Sequence, residues 1–294
     1  MVRVLFQAAR FPAKPFTESL ACGPGERLTL GLPLASRQDR AILLARGTWA
    51  IEPDHARLWI REDVMLTPEA IFAFVDTAKD SAVPVRWKLG GRAGNLVEEL
   101  LFGDEAPLML WLPEGGPPTQ EQLEKTEAIL VDPKEQLVSV PVAKSQFGAD
   151  VIELPISDRL VIPTSHWLQL MWANLLGLGP FLWRELVGKN PVSAAFNLAM
   201  AVIRAASLKP DKIGAKLGRK GKGCSIHPTA VVEGCWLGDG VKIGANAVVR
   251  GCVVADGAEI EDLSLVEFTV MGKESRVQRQ GMVKFSLLSD GSAA

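Results

Sequence analysis

Between Ile226 and Leu288 apolar residues return at a fixed interval of seventeen. One column reads Ile226, Ile243, Ile260, Val277. Six places on it reads Val232, Val249, Val266, Val283, and five further Leu237, Val254, Met271, Leu288. All twelve are aliphatic or Met. Seventeen suits neither a helix nor a hairpin, and repetition at a fixed period marks a stacked architecture. Steps of 6, 5 and 6, each segment opened by an apolar residue, describe a three-sided coil. Each side is a short strand whose opening side chain points to the axis, and equal positions stack about 4.8 Å apart.

Other columns obey the same register. Small residues recur four places after the opener on the first face (Ala230, Ala247, Ser264, Gly281), and on the third that position holds Val241, Ala258, Ser275 and Ser292; small inward groups there let the corners close. Outward columns alternate in sign: Glu233, Arg250, Glu267, Lys284, and Lys242, Glu259, Arg276. Opposite charges stacked across in-register strands are mildly stabilising. The two Gly-Cys pairs, at Cys235 and Cys252, fall in one column with Thr269 and Ser286. They read as small groups in a ladder rather than as a disulfide or metal site.

The chain has 294 residues, a net charge of -2 and four cysteines without CxxC spacing. That is long enough for two domains and names neither nucleic acid nor an anionic membrane as partner. The N-terminal "MVRVLFQAARFPAKPF" lacks the apolar run of a signal peptide. "HWLQLMWANLLGLGPFLW" breaks too early for a membrane span. A reducing cytoplasm is the expectation. "KLGRKGKG" (216–223) is read as a solvated linker, with a phosphate patch as the alternative.

Before the repeat, strand and helix signals alternate. Strands are expected at Val2–Phe6, Ala41–Ala45, Arg57–Ile60, Val83–Leu89, Pro107–Leu112, Val138–Val142 and Leu160–Ile162. Helices are expected from the Thr67 cap with Pro68, from the Thr119/Gln122 capping box through "TQEQLEKTEAIL", and over Asn95–Phe102. The alternation predicts an α/β domain with a mostly parallel sheet, whose ligands bind beyond the C-terminal strand ends. Residues 165–216 read as helical, with a second helix from Asn190-Pro191 to about Ala206.

"IHPTAV", "LGDGVK" and "IGANAV" resemble the hexapeptide-repeat, left-handed parallel β-helix family. The resemblance implies about four coils over 226–293, a left hand and a trimer. An α/β domain, a connector and such a β-helix together resemble the sugar-1-phosphate nucleotidyltransferases. "LACGPGERL" looks like that family's Gly-rich loop, which would place Gly23, Gly25 and Arg27 at the triphosphate. "ARLWIREDVMLTPEAIFAFV" looks like the segment presenting a magnesium-binding aspartate, here Asp63. "SHWLQLMWANLLGL" is similar to the "PWDLLDAN" segment that leads towards the β-helix, with Leu168 in place of its acidic residue.

The expected organisation is therefore a Rossmann-like nucleotidyltransferase-type domain at 1–164, a helical connector at 165–222 and a β-helix at 223–294. The activity implied is transfer of a nucleotidyl group from an NTP to a sugar or polyol phosphate, with Mg2+ on Asp63. No second metal-binding aspartate and no loop lysine can be placed. A catalytically degenerate homologue serving as a trimeric scaffold or regulatory subunit is the alternative reading. A third is an acyltransferase, for which His227 is the one β-helix histidine.

Overall fold

The computed structural model describes residues 6–12, 28–30, 32–45, 47–50, 52–141, 150–187 and 218–294. The chain divides into two compact units, Met1–Arg27 with Pro33–Gln169 and Leu28–Leu32 with Leu170–Ala294.

In chain order, strands β1 (Phe6–Phe11), β2 (Leu28–Thr29), β3 (Leu32–Pro33) and β4 (Gly47–Trp49) precede β5 (Leu58–Arg61) and β6 (Val64–Leu66), with β2 and the first residue of β3 belonging to the second unit. Then come β7 (Val85–Leu89), β8 (Met109–Trp111) and β9 (Glu127–Val131), followed by β10 (Gln136–Pro141), β11 (Val151–Ile156) and β12 (Val161–Pro163). The main sheet has the order β4-β1-β5-β8-β7-β9. β8 is antiparallel to both neighbours; the other pairings are parallel. β10 and β11 form a separate antiparallel pair, as do β6 and β12.

The helices are α1 (Leu34–Leu44), α2 (Pro68–Ala78), α3 (Gly91–Leu100), α4 (Gln120–Lys125) and α5 (Trp167–Val187). Ala41–Ala45, expected as a strand, is instead the end of α1 and its C-cap. Leu34, Gln38, Ala41, Ile42 and Ala45 are buried at helical spacing, and a five-residue apolar run cannot by itself separate strand from helix. Both expected caps form. The Thr67 hydroxyl accepts the Ala70 N–H, and the Thr119/Gln122 box is complete. The second helix is shorter than "TQEQLEKTEAIL", because Glu127–Val131 pairs with β7 as an edge strand. The expected helix from Asn190 lies outside the described residues.

The C-terminal region is a stack of parallel strands in three sheets, a β-helix. Every pairing joins residues seventeen apart: Ile226↔Ile243↔Ile260↔Val277, Val232↔Val249↔Val266↔Val283, and Leu237↔Val254↔Met271↔Leu288. These residues form one core with Cys235, Val241, Ala247, Cys252 and Ala258. One sheet begins earlier than the sequence columns, at Arg219–Lys220, within the segment read as a linker.

The corners share the period. Positive φ recurs at Gly234, Gly251, Phe268 and Phe285, at Gly240, Gly257, Glu274 and Gly291, and at Asn246, Leu263 and Gln280. Glycine and asparagine take this conformation readily, and other residues hold it where neighbouring rows fix the backbone. The Phe268 and Phe285 rings stack at 5.0 Å, and Phe268 lies over Gly251. Asp239, Asp256, Asp262 and Asp290 each accept a backbone N–H from the row before, at 2.7–2.8 Å. A Cβ on Gly238 would collide with Asp256.

Candidate functional site

The chain leaves β1 for β4 on one side and then crosses to β5 on the other, so the strand order reverses beside β1. Ligands of open α/β sheets bind in the crevice at such a switch point, beyond the carboxyl ends of the strands. β1 and β5 end together at Phe11↔Arg61, and Asp63 follows two residues later.

Asp63 is fully buried. One carboxylate oxygen accepts Arg61 Nε–H at 2.6 Å. The other accepts Arg61 Nη2–H at 3.3 Å and the Ser165 hydroxyl at 2.5 Å. The Asp63 carbonyl accepts both the N–H and the hydroxyl of Thr164, at 2.8 and 2.6 Å. Arg61 Nη1 donates to Asp104 at 2.6 Å, and Ala106 N–H caps the other Asp104 oxygen at 3.1 Å. Gln38 holds the turn between β5 and β6 by donating to the carbonyls of Arg61 and Val64 at 3.1 and 2.9 Å, and accepts from Arg10 at 2.9 Å. This forms a buried, hydrogen-bonded ionic network, the condition under which buried charge is tolerated.

A hard cation needs free carboxylate oxygen. Both Asp63 oxygens are engaged, and a guanidinium occupies the place of the positive charge. This donor set does not fit a magnesium ion as arranged. Among the described residues no group of three or more His, Cys, Asp or Glu is placed to hold a metal. Gly23, Gly25 and Arg27 lie outside the described residues, so the arrangement of the Gly-rich loop stays an expectation. Downstream of it, the Leu30 N–H donates to buried Asn174 Oδ1 at 2.6 Å, which ties the chain after that loop to α5.

His227 lies on the outer surface of the first coil. Its Nδ1 accepts the Thr229 N–H at 3.3 Å and stands 2.9 Å from Thr229 Oγ1. That oxygen already accepts the Asn246 N–H at 2.9 Å, so the hydroxyl proton is directed to Nδ1. The hydrogen bonds thus assign the neutral proton to Nε2, making the exposed nitrogen a donor. In this arrangement His227 turns Nε2–H, rather than a bare nitrogen, to solvent.

The sequence reading missed the turn "GGRAG" after β7. Gly91 starts α3 with φ +66, and the Arg92 and Ala93 N–H groups bind the carboxylate of Glu135 at 3.2 and 2.7 Å. The Gly pair and the small Gly94, packed against the Leu89 carbonyl, were the available signal. The protein's own glutamate fills this helix end. Cys235 and Cys252 stack as expected, each sulfur lying 3.1 Å from a carbonyl of its own row and 3.4–3.5 Å from one of the next. Burial pushes the Cys252 thiol well above the usual range, and the neighbouring Cys235 sulfur adds to this.

A scan against protein-family models finds none that matches this chain, and a search of curated proteins finds no match. No helix among the described residues is long and apolar enough to cross a membrane.

Proposed function

We propose that the protein is a nucleotidyltransferase-like scaffold whose crevice is closed to metal-dependent transfer and whose β-helix assembles copies of the chain. The observation that carries this reading is the commitment of both Asp63 oxygens to Arg61 and Ser165. Nucleotidyl transfer rests on positioning and on charge neutralisation by a metal. With Arg61 neutralising Asp63, the crevice is a structural joint. The order of a mostly parallel sheet, α5 and a stack of four or more rows supports the likeness to the family.

Assembly is supported by the outer side of the second face. Beside the charged column runs an apolar one, Val231, Val248, Leu265 and Met282, with Met282 68% exposed. Beyond the charged column, at the corner that follows it, stands the Phe268–Phe285 stack. We assign this face to a homotrimer of left-handed coils, in a reducing compartment that keeps Cys224, Cys235 and Cys252 as the free thiols they are.

An assay of pyrophosphate release from each NTP with a panel of sugar 1-phosphates and Mg2+ tests the reading. The expected result is no release above the protein-free control. Steady Mg2+-dependent turnover would restore the transferase reading, with Asp63 rearranged.

A further inference from the structure

The outer side of the coil's first face carries a cleft of about 420 Å3, a size within the usual range for small-molecule sites. Its floor includes Gly244, which leaves a gap between His227 in the row before and Glu261 in the row after. The two ends of the cleft differ in what they have left to offer.

At one end the carboxylates are engaged. Glu259 pairs with Arg276, and Glu261 takes the Arg279 N–H at 3.0 Å and stands 3.8 Å from Arg276. At the other end, donors are in excess. The Ser225 hydroxyl has no hydrogen-bond partner among the described residues, and His227 presents Nε2–H. Lys242 spends one long contact, 3.5 Å, on Glu259, leaving further N–H groups to offer. The column Lys242, Glu259, Arg276 then alternates donor, acceptor, donor from row to row.

We propose that this cleft binds a small hydroxyl-rich anion, a phosphorylated or carboxylated sugar or polyol. Its anionic group meets Ser225, His227 and Lys242, because charge-assisted bonds from such donors are the strong ones. Its hydroxyls, each able to donate and to accept, run along the alternating column. Neither a bare anion nor an uncharged sugar uses both ends. The site is independent of the switch-point crevice and stands or falls apart from the scaffold reading.

Isothermal titration calorimetry of the full chain with glucose 6-phosphate, gluconate, inorganic phosphate and glucose tests it, the first two probes separating phosphate from carboxylate. At least one of those two should bind saturably with a Kd of about 1 mM or tighter, and about tenfold better than inorganic phosphate or glucose. Lys242→Gln should weaken that binding about tenfold, and Lys242→Arg should retain most of it. The Lys242 side chain is 65% exposed, so both variants should melt within a few degrees of the wild type; that is the control for folding. Absence of saturable heat with all four probes would overturn the proposal. So would equal affinity for inorganic phosphate, or undiminished binding in folded Lys242→Gln.

Discussion

The carboxylate of Asp63 receives three hydrogen bonds from two side chains, one of them a cation, without contact with solvent. Removing it leaves Arg61 buried, with Asp104 as its remaining carboxylate in the network. Breaking a buried pair by deleting one partner costs about 3–5 kcal/mol. Asp63→Ala should therefore lower stability by about 3 kcal/mol, read from urea unfolding; a variant as stable as the wild type would contradict the network. The sequence placed Asp63 correctly at a strand end, because "LWIR" before it and the Thr67-Pro68 cap after it bracket the turn. Its chemistry was not legible there. Ser165 comes from 102 residues away, and nothing local announces that pairing. Arg61, two residues upstream, was the visible hint that the aspartate already had a counterion.

At the scale of elements, the β-helix was legible almost whole, because a fixed period makes each position report on its stacked neighbours. All twelve inward positions pair in the expected register, and the outward charges meet their partners. Arg250 lies 3.0 Å from Glu233 and 3.3 Å from Glu267, and Lys284 2.8 Å from Glu267. Val249 is fully buried between Val232 and Val266. Val249→Asp puts an unpaired charge there, which core packing does not tolerate. Loss of the β-sheet circular-dichroism signal or insolubility is expected; a soluble variant melting like the wild type would refute the inward register. The α/β unit was less legible. Helix α1 begins without a side-chain cap, so its apolar end passed for a strand. Helix α3 starts in a glycine turn that Glu135 caps from the far side of β9.

For the whole molecule, the apolar column on the second face is the structural ground for assembly. The chain is 31.7 kDa, and sedimentation equilibrium should report three times that mass. The double variant Leu265→Glu/Met282→Glu should sediment as a monomer, since both residues point outward and like charges would face each other across the interface. A monomeric wild type would contradict the assignment.

If its own ion pairs close the switch-point crevice, no metal–nucleotide complex enters it. The most direct measurement is thermal denaturation of the full chain with each NTP, with and without Mg2+. A ligand at one hundred times its Kd stabilises the folded state by about 2.7 kcal/mol, a shift of several degrees. No Mg2+-dependent shift is expected with any nucleotide. A selective, Mg2+-dependent rise in melting temperature would show that the network opens to admit a metal–nucleotide complex, and would contradict a closed crevice.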